Sequence, residues 1–230
     1  AELRRELMRL ARILRARLSL RPNPARRGRL DLRRTVRRSL ASGGVPFAIE
    51  RRRRRQRKPR LVVLCDISDS VRAVSRFMLE LVYALHELFD RVRAFAFVAD
   101  LGELTELFRQ HRLDRAVDLA YSGQVVNTFA NSNYGRALAQ FADRHMDAVT
   151  GRTTVMVIGD GRTNHHPSRG EVLGAIARRA RQVLWLNPEP RSLWGFGDSA
   201  MDEYQRHCDR VMVVRNLNGL RAVIDRLLPG

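Results

Sequence analysis

Five side chains with oxygen atoms suited to a divalent cation lie in loops that follow or precede predicted strands and helices. Asp66, Ser68 and Ser70 occupy alternate positions directly after the apolar run 61–66. Asp160 ends a later predicted strand, and Ser132 opens a helix between them. Carboxylate and hydroxyl oxygens are typical ligands of hard cations, so the pattern favours Mg²⁺, with Mn²⁺ as the second candidate. The set contains no thiol or imidazole, which disfavours zinc and copper.

Each of these residues also has a purely structural interpretation. Ser68 or Ser70 could cap the helix that follows, and the pair Asp160-Gly161 could form a simple turn. The combination of all five positions on an alternating strand–helix chain favours the metal site. So few protein ligands would leave one coordination position for a carboxylate from another molecule, which is the physical basis of metal-dependent adhesion.

From residue 61 onward, short apolar runs alternate with helical periodicity. Strands are predicted at 61–66, 92–98, 153–158, 183–187 and 211–214, with a further short strand at 103–108. Helices are predicted at 71–89, 113–120, 134–146, 171–181, near 200 and at 217–228. This order predicts an α/β fold with a mostly parallel central sheet and helices on both faces. Ligands of such sheets bind beyond the carboxyl ends of the strands, where Asp66 and Asp160 would lie.

The first 60 residues differ from the rest in charge. They contain 22 Lys and Arg against 4 Asp and Glu, whereas residues 61–230 contain 21 against 20. Leucines spaced by three and four predict an amphipathic helix over 2–18, and a second helix is expected near 31–40. We therefore divide the chain into a basic, largely helical extension (1–60) and a domain (61–230). A basic patch closes the extension: Arg51, Arg52, Arg53, Arg54, Arg55, Arg57 and Lys58.

The extension has two candidate uses. Clustered arginines can neutralise phosphates, which would make the protein a nucleic-acid binder with the domain as scaffold. However, Phe47 is the only aromatic residue before position 61, so no stacking platform accompanies the charge. A solvated extension, or one that docks on an acidic partner, is therefore favoured. The helix over 2–18 could lie on an anionic membrane, but packing on its own domain or on a partner is the preferred interpretation.

The sequence argues against an enzyme. A phosphate-transferring aspartate of the haloacid dehalogenase type requires a second aspartate where Ser68 stands, and no Walker-type loop or nucleophile elbow is present. His165 and His166 follow Asp160 but lack further spaced ligands, so they are interpreted as loop residues. No apolar stretch reaches the roughly 20 residues that span a bilayer. Cys65 and Cys208 show no disulfide framework, and a cytoplasmic setting is expected.

In order and spacing, Asp66, Ser68, Ser70, Ser132 and Asp160 resemble the metal-ion-dependent adhesion site (MIDAS) of von Willebrand factor A (VWA) domains. The resemblance implies that the three serines are direct ligands and that the two aspartates act directly or through water. A serine replaces the usual threonine at position 132, and residues 128–131 replace the usual glycine-rich stretch before it. Expected partner contacts beside the site are Asp69, Asn133 and Trp194, although Trp194 could instead cover the core.

Further motifs resemble one branch of that family, the CoxE-like proteins. They cover roughly 30–228 and include residues 31–35, 43–46 and 64–66, then Asn187-Pro188, Trp194-Gly195, residues 197–201, Tyr204 and Cys208-Asp209. Members are bacterial accessory proteins, typically encoded next to MoxR-type AAA+ ATPases and implicated in maturing or remodelling metalloenzymes. The resemblance implies a protein-binding adaptor whose metal ion accepts an acidic side chain of such an ATPase or of its client.

Overall fold

The structure is a computed structural model that describes residues 2–20, 60–89 and 91–226. The helix expected near 31–40 and the basic patch from Arg51 to Lys58 lie outside these residues. The described helices are α1 (Glu2–Leu20), α2 (Arg72–Leu88), α3 (Thr105–Gln110), α4 (Leu113–Tyr121), α5 (Tyr134–His145), α6 (Gly170–Arg179), α7 (Met201–Tyr204) and α8 (Leu217–Arg226). The described strands are β1 (Arg60–Asp66), β2 (Val92–Phe97), β3 (Leu101–Glu103), β4 (Thr153–Ile158), β5 (Gln182–Asn187) and β6 (Arg210–Val213).

The strands form one six-stranded sheet in the order β3-β2-β1-β4-β5-β6. Neighbouring strands run parallel, except that β3 pairs antiparallel with β2 at one edge. Every residue of β4 and β5 is buried, as expected for central parallel strands that helices cover on both faces. The predicted mostly parallel α/β fold is confirmed.

Two hydrophobic clusters cover the two faces of the sheet. Because side chains alternate along a strand, Leu61 and Val63 of β1 contribute to one cluster and Val62 and Leu64 to the other. The first cluster also takes buried residues from α1, α2, α3, α4 and α8. The second takes them from α5, α6 and α7. Helix α2, which follows β1 and its Asp66, packs on the first face, whereas α6, which follows β4, packs on the second.

Helix α1 packs into the first cluster through four leucines. Leu7, Leu10, Leu14 and Leu18 are each at most 4% exposed and share that cluster with β1 and α8. Arg181 donates to the Leu18 carbonyl at 2.9 Å. The helix therefore packs on the domain, although the sequence division places it in the extension. Among the described helices, none is long and apolar enough to cross a bilayer.

The short strand expected over 103–108 is misplaced in the sequence prediction. Strand β3 ends at Glu103, and residues 105–110 form helix α3. The Thr105 hydroxyl accepts a hydrogen bond from the backbone N–H of Ala94 and so replaces further strand pairing. Leu104 and Phe108 then lie one helical turn apart and are both buried. A spacing of four residues fits a helix, and the same short apolar run also fits a strand, so the sequence pattern does not decide between them.

Candidate metal centre

The two aspartates leave adjacent strands at the carboxyl edge of the sheet. Asp66 ends β1, and the next N–H, of Ile67, donates to the carbonyl of Phe97 at 3.0 Å. Asp160 lies two residues after the end of β4. Between them, the Gly159 N–H donates a hydrogen bond to the carbonyl of Leu186 in β5 at 3.1 Å. Both carboxylates are deeply buried, with Asp66 0% and Asp160 2% exposed. Parallel pairing of β1 with β4 therefore brings them to one place.

Four of the five predicted ligands form a continuous chain of hydrogen bonds. The Ser68 N–H donates to Asp66 Oδ1 at 2.8 Å. The hydroxyls of Ser68 and Ser70 are 3.1 Å apart, and the Ser70 hydroxyl donates to Asp160 Oδ2 at 3.1 Å. The loop after β1 is therefore hydrogen-bonded to both aspartates, and its two serine hydroxyls lie beside the two carboxylates.

The fifth predicted ligand, Ser132, is attached to the same edge by its backbone. It is 4% exposed, and its carbonyl accepts a hydrogen bond from the Asn164 side chain at 3.1 Å. The following residue, Asn133, donates its N–H to the carbonyl of Val98 and caps α5 by accepting from the Arg136 N–H. Within the described residues the Ser132 hydroxyl makes no hydrogen bond, so it is available to a ligand.

Tyr134, the first residue of α5 and not among the predicted ligands, contacts both aspartates. Its hydroxyl donates to Asp66 Oδ2 at 2.6 Å and lies 3.4 Å from Asp160 Oδ1. The close approach requires a glycine at position 159, because a Cβ there would be 2.0 Å from the Tyr134 oxygen. A signal was present in the sequence: Tyr134 opens the buried face of α5 that continues, one and two turns later, at Leu138 and Phe141.

Burial dominates the electrostatics of the pair. Desolvation, then the charge of Asp160, raises the pKa of Asp66 to about 7, against the hydrogen bonds from Tyr134 and Ser68. Desolvation also raises the pKa of Asp160. Among the described residues no cationic side chain forms an ion pair with either carboxylate. The Arg162 guanidinium, two residues from Asp160, pairs instead with Glu189 at 2.8 Å and Asp198 at 2.7 Å.

This donor set fits a hard divalent cation. Two buried carboxylates without a counter-charge are unfavourable in a medium of low dielectric constant, and a bound cation would neutralise them. No group of three or more His, Cys, Asp or Glu suited to a metal occurs in the described part of the chain. The protein would therefore offer two carboxylates and several hydroxyls, a set that leaves coordination positions for water or for an outside ligand.

Arg162 connects a long loop, residues 188–199, to the candidate site through hydrogen bonds. Its backbone N–H donates to Asp160 Oδ1 at 2.9 Å while its side chain binds Glu189 and Asp198 at the two ends of that loop. The Asp198 carboxylate also accepts from the Asn164 N–H at 3.0 Å. Residue 162 thus joins the loop after β4 to the loop after β5, an arrangement that the sequence pattern gave no reason to expect.

Of the two interpretations of Trp194, the structure supports the one in which this residue covers the core. Trp194 is only 8% exposed and belongs to the second hydrophobic cluster, with the Arg191 guanidinium 5.0 Å above its ring. Its aromatic ring is large enough to cover the core from the loop, which is the alternative interpretation. Among the described residues, three other large apolar side chains are exposed, all in connections between helices and strands: Phe129 (95%), Phe196 (68%) and Leu193 (41%).

The remaining predicted contact residues differ in their surroundings. Asp69 is exposed beside the two loop serines, whereas Asn133 is half-buried and used as the cap of α5. His165 and His166 are exposed in the loop after β4, and His165 has a positive φ of 62°. The His166 N–H donates to the Thr163 carbonyl at 3.0 Å, and neither imidazole ring forms a hydrogen bond with another described residue. Their position agrees with the interpretation as loop residues. Cys65 and Cys208 are free thiols.

The fold is similar to solved VWA structures. Proximal thread matrix protein 1 from the mussel byssus matches 74% of this chain and 46% of its own, with 14% identity and a TM-score of 0.50. A von Willebrand factor type A protein from Catenulispora acidiphila matches 74% and 41%, with 15% identity and a TM-score of 0.49. This chain thus spans less than half the length of these two, and the likeness shows the fold alone.

No curated protein matches the sequence. A family model described as "VWA domain containing CoxE-like protein" matches residues 3–223, which is nearly the whole chain and includes helix α1 together with all five candidate ligands. The protein therefore belongs to the CoxE-like family of VWA-domain proteins.

Proposed function

We propose that this protein is a metal-dependent adaptor that binds an acidic side chain of a partner protein. The observation that carries the proposal is the pair Asp66 and Asp160, buried without an ion pair to any described cationic side chain and bridged by the hydroxyls of Ser68 and Ser70. A buried dicarboxylate of this kind is costly unless a cation is bound. Mg²⁺ is the first candidate and Mn²⁺ the second.

The three hydroxyls of Ser68, Ser70 and Ser132 would contact the ion directly. Both oxygens of Asp66 already accept hydrogen bonds, one from the Ser68 N–H and one from the Tyr134 hydroxyl. This occupancy supports a role for Asp66 through bound water. The ion would supply an electrophilic position for a carboxylate from outside. Catalysis is not part of the proposal, because among the described residues no histidine and no third carboxylate contacts the two aspartates.

The partner is a MoxR-type AAA+ ATPase or the metalloenzyme client on which it acts. Membership of the CoxE-like family supports this choice. The exposed rings of Phe129 and Phe196 support a protein partner. Large aromatic side chains beside a polar centre are common anchors of protein interfaces. Their loops are joined through Asn164, which binds the Ser132 carbonyl and the Asp198 carboxylate.

The direct test uses the purified protein and a MoxR-type ATPase from the same organism. Binding measured by biolayer interferometry should occur in Mg²⁺ and disappear in EDTA. Asp66→Ala should abolish the binding, whereas Asp118→Ala, which removes an exposed aspartate of α4 paired with Arg76, should leave it unchanged. Binding that is equally strong in EDTA, or in the Asp66→Ala protein, would falsify the adaptor proposal.

Nucleic-acid binding is the second candidate, and one observation favours it. Helix α1 buries four leucines, from Leu7 to Leu18, and exposes Arg4, Arg5, Arg9 and Arg12. Phosphate contacts predict affinity that falls steeply with salt and needs no divalent ion. Fluorescence anisotropy with a labelled single-stranded oligonucleotide, compared between the wild type and a protein with these four arginines replaced by serine, tests this function. Equal affinity of the two proteins would argue against α1 as the binding surface.

A further inference from the structure

Two buried tyrosines stack on the same tryptophan, but only one of them touches the candidate metal centre. Tyr134 and Tyr204 are both 0% exposed, with ring centroids 5.8 Å and 5.0 Å from that of Trp185. The Tyr204 hydroxyl donates to the carbonyl of Ser168 at 2.7 Å. The Tyr134 hydroxyl instead meets the carboxylates of Asp66 and Asp160. The two phenols thus share their packing and differ in the group that they bind.

We propose that Tyr134 is a positioning residue that fixes the separation of the two carboxylates and thereby makes the centre selective for a small cation. The inference rests on the proposed function, because it concerns the same metal centre. A single hydroxyl oxygen lies 2.6 Å from Asp66 Oδ2 and 3.4 Å from Asp160 Oδ1. These two oxygens therefore cannot be more than 6.0 Å apart, the total of the two distances.

The hydroxyl can hold this position because its ring is immobilised. The Phe97 ring contacts it edge-on at a centroid distance of 4.9 Å, and the Trp185 ring stacks on it. Gly159 closes the remaining side, since a Cβ at that position would collide with the Tyr134 oxygen and with Asp66. The Trp185 ring is itself fixed by a hydrogen bond from its Nε1 to the carbonyl of Gly159 at 2.8 Å.

A fixed separation of the two carboxylates discriminates between cations of different size, whether a carboxylate binds the ion directly or through a water of the ion. Mg²⁺ requires nearly ideal octahedral geometry with short bonds of about 2.0–2.1 Å, whereas Ca²⁺ tolerates irregular sites with bonds of about 2.3–2.6 Å. Removing the phenol hydroxyl would leave only the longer link through Ser68 and Ser70, so the two carboxylates could move apart. The centre would then lose affinity for Mg²⁺ more than for Ca²⁺. A residue that only stabilised the fold would not change this ratio.

The experiment compares three full-length proteins: wild type, Tyr134→Phe and the matched control Tyr204→Phe. After removal of bound metal with EDTA and dialysis, the dissociation constants of Mg²⁺ and Ca²⁺ are measured by isothermal titration calorimetry. Tyr134→Phe should weaken Mg²⁺ binding by roughly ten- to a hundredfold, the usual effect of losing an outer-shell partner. Ca²⁺ binding should weaken by a smaller factor, and Tyr204→Phe should change neither constant by more than about twofold.

The possible results separate this inference from the proposed function. If the wild type binds Mg²⁺ and Tyr134→Phe changes both constants by the same factor as Tyr204→Phe, the positioning role is wrong and the metal centre stands. If the wild type binds neither cation at millimolar concentration, the proposed function and this inference both fail.

A second measurement covers the case in which Tyr134→Phe does not fold. The four tyrosines of the sequence can be labelled as 3-fluorotyrosine in the otherwise unchanged protein. Addition of Mg²⁺ should shift the ¹⁹F resonance of residue 134 and leave that of residue 204 in place. A resonance of residue 134 that does not respond to a saturating cation would overturn the inference.

Discussion

The hydroxyl of Ser70 donates a hydrogen bond to Asp160 across 90 positions of sequence. It connects the loop after β1 with the loop after β4. Two carboxylates, those of Asp66 and Asp160, are buried at this junction. The stability of the protein should therefore depend on their protonation.

We expect the metal-free protein to lose stability as the pH rises from about 4 to about 7. The pKa of Asp66 is raised to about 7 in the folded protein from an ordinary value of 3.8. In this interval the folded state keeps a proton that the unfolded state has released, so the free energy of unfolding falls as pH rises. The stability is fully present below the lower pKa and lost above the higher one. The change should be on the order of a few kcal/mol, measured by urea denaturation in EDTA.

Mg²⁺ should reverse this pH dependence of the stability, and the substitution Asp66→Asn should remove it. Saturating Mg²⁺ should stabilise the protein most above pH 7, because metal ligands must be deprotonated. Asp66→Asn cannot titrate, so its metal-free stability should vary less with pH, and it should exceed that of the wild type at pH 7.5. An equal pH slope in the two proteins would show that Asp66 is not the responsible group.

Arg162→Ala should make the loop 188–199 more mobile and should also lower the affinity of the candidate centre for Mg²⁺. The substitution removes the fork that binds Glu189 and Asp198, whose side chains are only 21% and 17% exposed. Loss of such charge-assisted hydrogen bonds costs about 2 kcal/mol, and hydrogen exchange of the loop should rise. Mg²⁺ affinity should fall by about tenfold. Arg93→Ala is the matched control, since Arg93 forms a similar fork on Glu103. It should leave Mg²⁺ affinity unchanged.

Helix α1 should be required for the stability of the domain. Leu10 is 1% exposed within the first hydrophobic cluster, so Leu10→Ala should lower the free energy of unfolding by about 2–5 kcal/mol. Arg12→Ala alters an exposed residue of the same helix and should change it by less than about 0.5 kcal/mol. Both values can be obtained by guanidinium denaturation. A Leu10→Ala protein as stable as the wild type would mean that α1 does not support the domain.

Replacing Phe129 and Phe196 by serine should weaken partner binding and leave the fold intact. Both rings are largely exposed, so their loss removes little buried surface from the domain. As interface anchors they would each contribute about 2 kcal/mol, or roughly thirtyfold in affinity for the MoxR-type ATPase. Arg152→Ser, in the turn that precedes β4 at the opposite edge of the sheet, is the control. Unchanged affinity of the double variant would exclude these rings from the interface.

The sheet could be predicted from the sequence because its strands are continuous apolar runs separated by amphipathic helices. Register and order were not accessible in the same way, since they depend on pairing between distant segments such as β1 and β4. The short strand near residue 103 was misplaced because Leu104 and Phe108 fit both strand and helix periodicity. The Thr105 hydroxyl decides between them through a contact with β2.

The candidate metal centre was predictable to a different extent for its different parts. Four of the predicted ligands could be placed together from the sequence, because they lie at or just after the ends of two parallel strands. Three follow from β1 and one from β4: Asp66, Ser68, Ser70 and Asp160. The roles of Tyr134 and Arg162 arise from contacts across 68 and up to 36 positions, so local periodicity does not reveal them. Exposure was equally inaccessible: the loop 188–199 contains both the buried Trp194 and the exposed Phe196.

The Arg221 guanidinium of α8 binds Glu6 of α1 at 2.7 Å, across 215 positions of sequence. The core that receives the α1 leucines also includes Leu220 and Ile224 of α8. At a synthesis rate of about 5–20 residues per second, roughly 10 to 40 s pass between the synthesis of α1 and that of α8. Until then the leucine face of α1 lacks part of its packing surface, and we expect nascent chains of this protein to bind a chaperone that protects such apolar faces.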